Sequence, residues 1–88
     1  MPSTKLLATS QRMTRDDLAD LLVGIAERVR TGEVVLRQGE ESLTLEMPES
    51  VDVDVEVTSE DKTSGTKIQL EIEIEWYEGQ QDQSLSLG

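Results

Sequence analysis

The segment Thr66–Glu78, TKIQLEIEIEWYE, alternates apolar and polar residues until it reaches the only tryptophan in the chain. A period of two marks a half-buried β-strand, so Ile68, Leu70, Ile72, Ile74 and Trp76 share one side while Glu71, Glu73 and Glu75 share the other. The same pattern occurs upstream in Val51–Val57, VDVDVEV, where four valines alternate with Asp52, Asp54 and Glu56. Two such runs separated by a polar stretch read as an antiparallel hairpin. Charge is expected to choose its register. Setting Glu56 opposite Lys67 places Asp54 against the neutral Gln69 and leaves only Asp52 and Glu71 in direct conflict, with Thr58–Gly65 as a polar loop.

A shorter hairpin precedes it in GEVVLRQGEESLTLEM, Gly32–Met47. A two-residue loop at Gly39 and Glu40 puts glycine at the first central position of a type II′ turn. Val34 and Leu36 then share a face with Leu45 and Leu43, while Val35, Arg37, Ser42, Thr44 and Glu46 lie on the other. Turn chemistry and hydrophobic pattern agree on this register.

Before the hairpin, MTRDDLADLLVGIAERVRTG carries a helical signal. Thr14 is a suitable N-cap, with Asp16, Asp17 and Asp20 near the positive helix end. Arg28 and Arg30 occupy the last turn, and Gly32 supplies the stop. Leu18, Leu21, Leu22, Ile25, Ala26 and Val29 recur at three- and four-residue steps as one apolar stripe. Gly24 interrupts the helix at a cost of about 1 kcal/mol relative to alanine. A short edge strand over Lys5–Ala8 is expected before the helix.

These elements predict an α+β fold: a two-layer sandwich of one N-terminal helix on a mainly antiparallel four-stranded sheet. The 88 residues suit one domain, expected over 1–78, with 79–88 as a flexible C-terminal tail. Parity places Trp76 on the core side with Ile72 and Ile74.

Composition narrows the chemistry. The chain has no cysteine or histidine, which disfavours structural zinc, thiolate catalysis and imidazole catalysis. Ser and Thr have no evident activating base, and the carboxylates look solvated rather than tuned. The expectation is a non-enzymatic protein without a cofactor. No segment has the length or hydropathy of a membrane span or secretory signal, so a cytoplasmic location is expected.

The net charge is −11, unevenly placed: residues 1–45 hold seven acids and six bases, residues 46–88 twelve acids and two bases. Such a charge opposes nucleic-acid phosphates and anionic membrane surfaces. On a continuous sheet, Glu46, Asp52, Asp54, Glu56, Glu71, Glu73 and Glu75 would form one carboxylate-rich face, opposed only by Arg37 and Lys67. That face reads first as a solvated surface adapted to high salt, with a binding surface for a basic partner as the next reading. A divalent-cation site fits less well, because calcium takes about six to eight converging oxygens and this array is flat. Arg12, Arg15, Arg28, Arg30 and Arg37 read as solvated or helix-terminal side chains rather than as a binding patch.

MTRDDLADLLVGIAERVRTG, followed by strands and then TKIQLEIEIEWYE, resembles the amphi-Trp domain family over residues 4–78. Its specific part is Glu71, Ile72, Glu73, Ile74, Glu75 and Trp76. The resemblance implies a compact domain, often encoded alone in archaea and bacteria and common in haloarchaea. It supplies no catalytic residue and no established activity. The functional expectation is a halophile-type acidic interaction or structural module, pairing with a second copy or another protein. The alternative is a small regulatory or cation-binding domain that uses the carboxylate face.

Overall fold

The computed structural model describes residues 2–79, and the element order is α1 (Arg15–Thr31), β1 (Glu33–Gln38), β2 (Glu41–Glu46), β3 (Asp52–Lys62) and β4 (Gly65–Glu75). One helix and four antiparallel strands make the fold α+β, as the sequence pattern predicts. The strands form two separate two-stranded sheets, β1–β2 and β3–β4, rather than one four-stranded sheet. The break follows from Met47–Val51, which adopts no strand and contains Pro48. Proline has no N–H to give to a ladder and restricts the residue before it, so strand pairing does not carry across this link. The chain accordingly divides into a unit up to Met47 and a unit from Pro48.

In the first unit, α1 is capped at both ends by the residues its sequence designates. The Asp17 backbone N–H donates to Thr14 Oγ1 at 3.1 Å, and Asp16 and Asp17 lie in the first turn. At the other end Gly32 takes the left-handed conformation, φ 84°, and its N–H donates to the Arg28 and Val29 carbonyls. The Gly32 carbonyl then accepts from the Met47 N–H at 2.8 Å, tying the end of the first hairpin to the helix cap.

The β1–β2 hairpin has the register that turn and pattern require, with Val34 opposite Leu45 and Leu36 opposite Leu43. Gly39 has φ 61° and Glu40 a negative φ, as a type II′ turn demands. Helix α1 packs on β1. Val34, 5% exposed, is the buried hydrophobic residue among those described, and Leu36, Leu43 and Leu45 are half-buried around it. No strand forms over Lys5–Ala8. Four residues with Lys5 and Leu6 exposed bury too little surface to offset the ordering of their backbone.

The second unit is a long ribbon. β3 and β4 are 11 residues each and pair without interruption from Asp52–Glu75 to Lys62–Gly65. Thr63 and Ser64 form the turn. The expected Thr58–Gly65 loop is therefore strand for most of its length, and Lys67 faces Glu60 instead of Glu56. The observed pairing sets Val53 against Ile74, Val55 against Ile72 and Val57 against Leu70. The charge-guided register would leave Ile74 beyond the end of its partner strand. It would also replace a tight turn with a longer loop, whose closure entropy grows with length. Two additional carboxylate clashes at about 0.8 kcal/mol each in water are smaller than the combined gain from extra ladder bonds and apolar pairs.

Candidate interaction surface

Away from its turn, each face of the β3–β4 ribbon has one chemical character. Cross-strand partners point to the same side, so the register places Val53, Val55, Val57, Ile68, Leu70, Ile72 and Ile74 together. These seven aliphatic residues are 42–66% exposed. Ile72 and Ile74, expected in a buried core, are at the surface instead. A two-stranded ribbon supplies a single layer, and an apolar face needs a second layer to become a core. Trp76 follows the end of β4 and is half-buried, while Tyr77 beside it is exposed.

The opposite face carries three like-charge rungs: Asp52 across from Glu75, Asp54 from Glu73 and Glu56 from Glu71. Six of the seven carboxylates expected on an acidic face are thereby brought together. Glu46 is not among them. It belongs to β2 and lies across from Glu33, in the separate β1–β2 sheet. Arg37 also belongs to that hairpin, opposite Ser42, and gives the six acids no partner in their ladder.

Both faces change character toward the turn. On the acidic side Glu60 lies opposite Lys67 and is 3.8 Å from Lys62 Nζ, while on the aliphatic side Thr66 Oγ1 donates to Asp61 Oδ1 at 3.0 Å across the strands. Compensating charges and hydrogen bonds thus occupy the turn end, and the uncompensated acids occupy the other. On β4 itself, Gln69 Nε2 donates to Glu71 Oε1 at 2.6 Å, tying that carboxylate to the amide two residues away.

Asp54, Glu73 and Glu75 hold carboxylate oxygens within 4.8 Å of one another, and all three residues are exposed. This is the densest acidic grouping of its kind among the described residues. One oxygen from each would supply only half of a calcium ion's usual minimum of about six ligands.

In the first unit, the N-terminal segment, α1 and β1 border an open groove whose lining includes Leu7, Leu21, Ile25, Val35, Arg28 and Arg37. Arg28 Nη1 donates to the Gly24 carbonyl at 2.9 Å, which lays the guanidinium along its own helix. Of the five arginines read from the sequence as solvated or helix-terminal rather than as a patch, Arg28 and Arg37 both line this groove. No polar or charged side chain is buried among the described residues. No helix among them is long and apolar enough to cross a membrane.

The fold and its surfaces define a small α+β protein with an acidic, amphipathic strand hairpin that runs into tryptophan. The chain belongs to the Amphi-Trp domain family, whose model matches residues 1–88. Comparisons with curated proteins and with solved structures give no match.

Proposed function

We propose that this protein is a non-enzymatic, salt-adapted interaction module that works through its β3–β4 ribbon. The observation that carries this reading is the continuous aliphatic face, 42–66% exposed at seven positions, backed by three carboxylate rungs. Exposed apolar area of this extent characterises interaction surfaces. A dense carboxylate face keeps such a chain soluble where salt screens its self-repulsion. The non-enzymatic assignment is supported by the absence of cysteine and histidine from the sequence. Exposed carboxylates without a buried partner also lack the environment that separates acid from base. The intracellular, high-salt setting belongs to this proposal and is supported by the net charge of −11.

The experiment is affinity capture from host-cell extract in molar KCl, with the immobilised full chain compared with its Ile72→Glu variant. Retention of a protein by the parent chain and its loss in the variant is the expected result. Equal retention by both, or no retention by either, overturns the reading. A second reading, cation binding, is favoured by the Asp54, Glu73 and Glu75 grouping. A calcium titration followed by backbone NMR tests it: saturable shifts confined to those residues and not reproduced by sodium would establish a site.

A further inference from the structure

We propose that the partner of the β3–β4 aliphatic face is a second copy of the same face, the two ribbons stacking as a weak homodimer. This rests on the interaction-module reading and names its partner. Three observations select a second copy.

The first is composition. The middle of the face is built from Val53, Val55, Val57, Ile68, Leu70, Ile72 and Ile74, all aliphatic, with Ser59, Asp61 and Thr66 on the same side only at the turn end and Trp76 following Ile74 past the strand. A patch of seven aliphatic side chains resembles half of a divided domain core, the character of homodimer interfaces. Two ribbons of the same twist also stack face to face in the aligned manner of a β-sandwich.

The second is charge placement. Stacking two apolar faces at about 10 Å leaves the Asp52–Glu75, Asp54–Glu73 and Glu56–Glu71 rungs on the two outer surfaces. Those rows are then separated by more than one Debye length, about 8 Å at physiological salt. Joining two ribbons edge to edge instead brings carboxylate rows together at about 4.8 Å. The charge pattern therefore opposes edge growth and permits face stacking.

The third is area. Fully burying one such side chain removes about 100 Å² of apolar surface from water, so seven at their observed exposure offer about 400 Å² per copy. A standard stable interface takes about 800 Å² per partner. The face thus specifies a dimer that forms with rising concentration and dissociates on dilution.

The test uses the full chain, whose lack of cysteine makes a single introduced thiol a clean reporter. Val55→Cys places it on the aliphatic face, and Glu56→Cys places it on the acidic face one residue away. Both are oxidised in molar KCl, where screening to about 3 Å removes the bias against the acidic face. The expected result is a disulfide-linked dimer from Val55→Cys at least about tenfold faster than from Glu56→Cys, a difference of about 1.4 kcal/mol in barrier. Sedimentation of the parent chain is expected to show its mass rising from 9.8 kDa toward twice that value with concentration. Equal cross-linking rates overturn the proposal, as does a mass fixed at 9.8 kDa up to about 1 mM. Each variant's circular dichroism is matched to the parent, so a folding failure is seen directly. If the chain stays monomeric while a photo-crosslinker on Val55→Cys captures a different protein, self-association falls and the interaction-module reading stands. If neither a second copy nor another protein is captured, both fall.

Discussion

Glu56 stands directly across from Glu71 in the rung nearest the turn of the three carboxylate rungs of the β3–β4 ladder. The nearest compensating rung, Glu60 with Lys67, lies two pairs further toward the turn on the same face. A like-charge pair at this separation weakens a hairpin by about 0.2–1 kcal/mol, and salt removes most of that penalty. Glu71→Gln is therefore expected to stabilise the protein by about 0.5 kcal/mol at low salt, and Glu71→Lys by about 1 kcal/mol. In molar KCl both gains should shrink toward zero. Urea unfolding followed through Trp76 fluorescence measures this without adding ions; gains of equal size at both salt concentrations would contradict an electrostatic origin.

The same rungs make a prediction for the unaltered chain. Three repulsive pairs and a net charge of −11 are largely unscreened at low ionic strength. The urea midpoint should rise steeply between about 0.1 M and 1 M KCl, where the Debye length falls from about 10 Å to about 3 Å. The low-salt state should show loss of β3–β4 amide protection before loss of α1 protection. A midpoint independent of salt would sink this account.

The first unit was the more legible part of the sequence, for a physical reason. Thr14, Gly32 and Gly39 each act within a few residues of their own position, through a cap hydrogen bond or a positive φ. Local chemistry therefore identified the helix ends and the β1–β2 turn. The β3–β4 pairing depends on competition among whole registers, in which an exposed pair such as Glu56 with Lys67 is worth about 1 kcal/mol at most. Val53–Ile74 pairing and the Thr63–Ser64 turn decided the alignment instead. Strand alternation also reports which residues share a face without reporting which strands share a sheet. For that reason alternation alone places Glu46 with acids to which its ladder does not connect it.

Gly32→Ala should destabilise the protein by about 1 kcal/mol, because the residue holds φ 84° and an L side chain in the left-handed region carries about that penalty. An added Cβ would lie 3.6 Å from the Met47 carbonyl oxygen, an ordinary contact, so the cost is in the backbone. Gly32→Asn should recover part of the loss, since asparagine tolerates this conformation better. Thermal unfolding of the three proteins at fixed molar KCl checks the order Gly, Asn, Ala; an alanine variant as stable as the parent would remove the argument.

Gly24→Ala makes the opposite prediction within the same helix. Gly24 lies mid-helix, where alanine is favoured by about 1 kcal/mol. The added Cβ would approach Arg28 Nη1 to 3.3 Å, tighter than usual, but that atom is the far end of a flexible side chain. Arg28 donates from the same nitrogen to the Gly24 carbonyl at 2.9 Å, and a few tenths of an ångström of movement preserves the bond. The helix should gain about 0.5–1 kcal/mol, read as a higher urea midpoint at every salt concentration. A gain that disappears in molar KCl would show that the Arg28 contact, rather than backbone entropy, controls the site. Pairing this variant with Glu71→Lys separates the two mechanisms: one gain should persist with salt while the other fades.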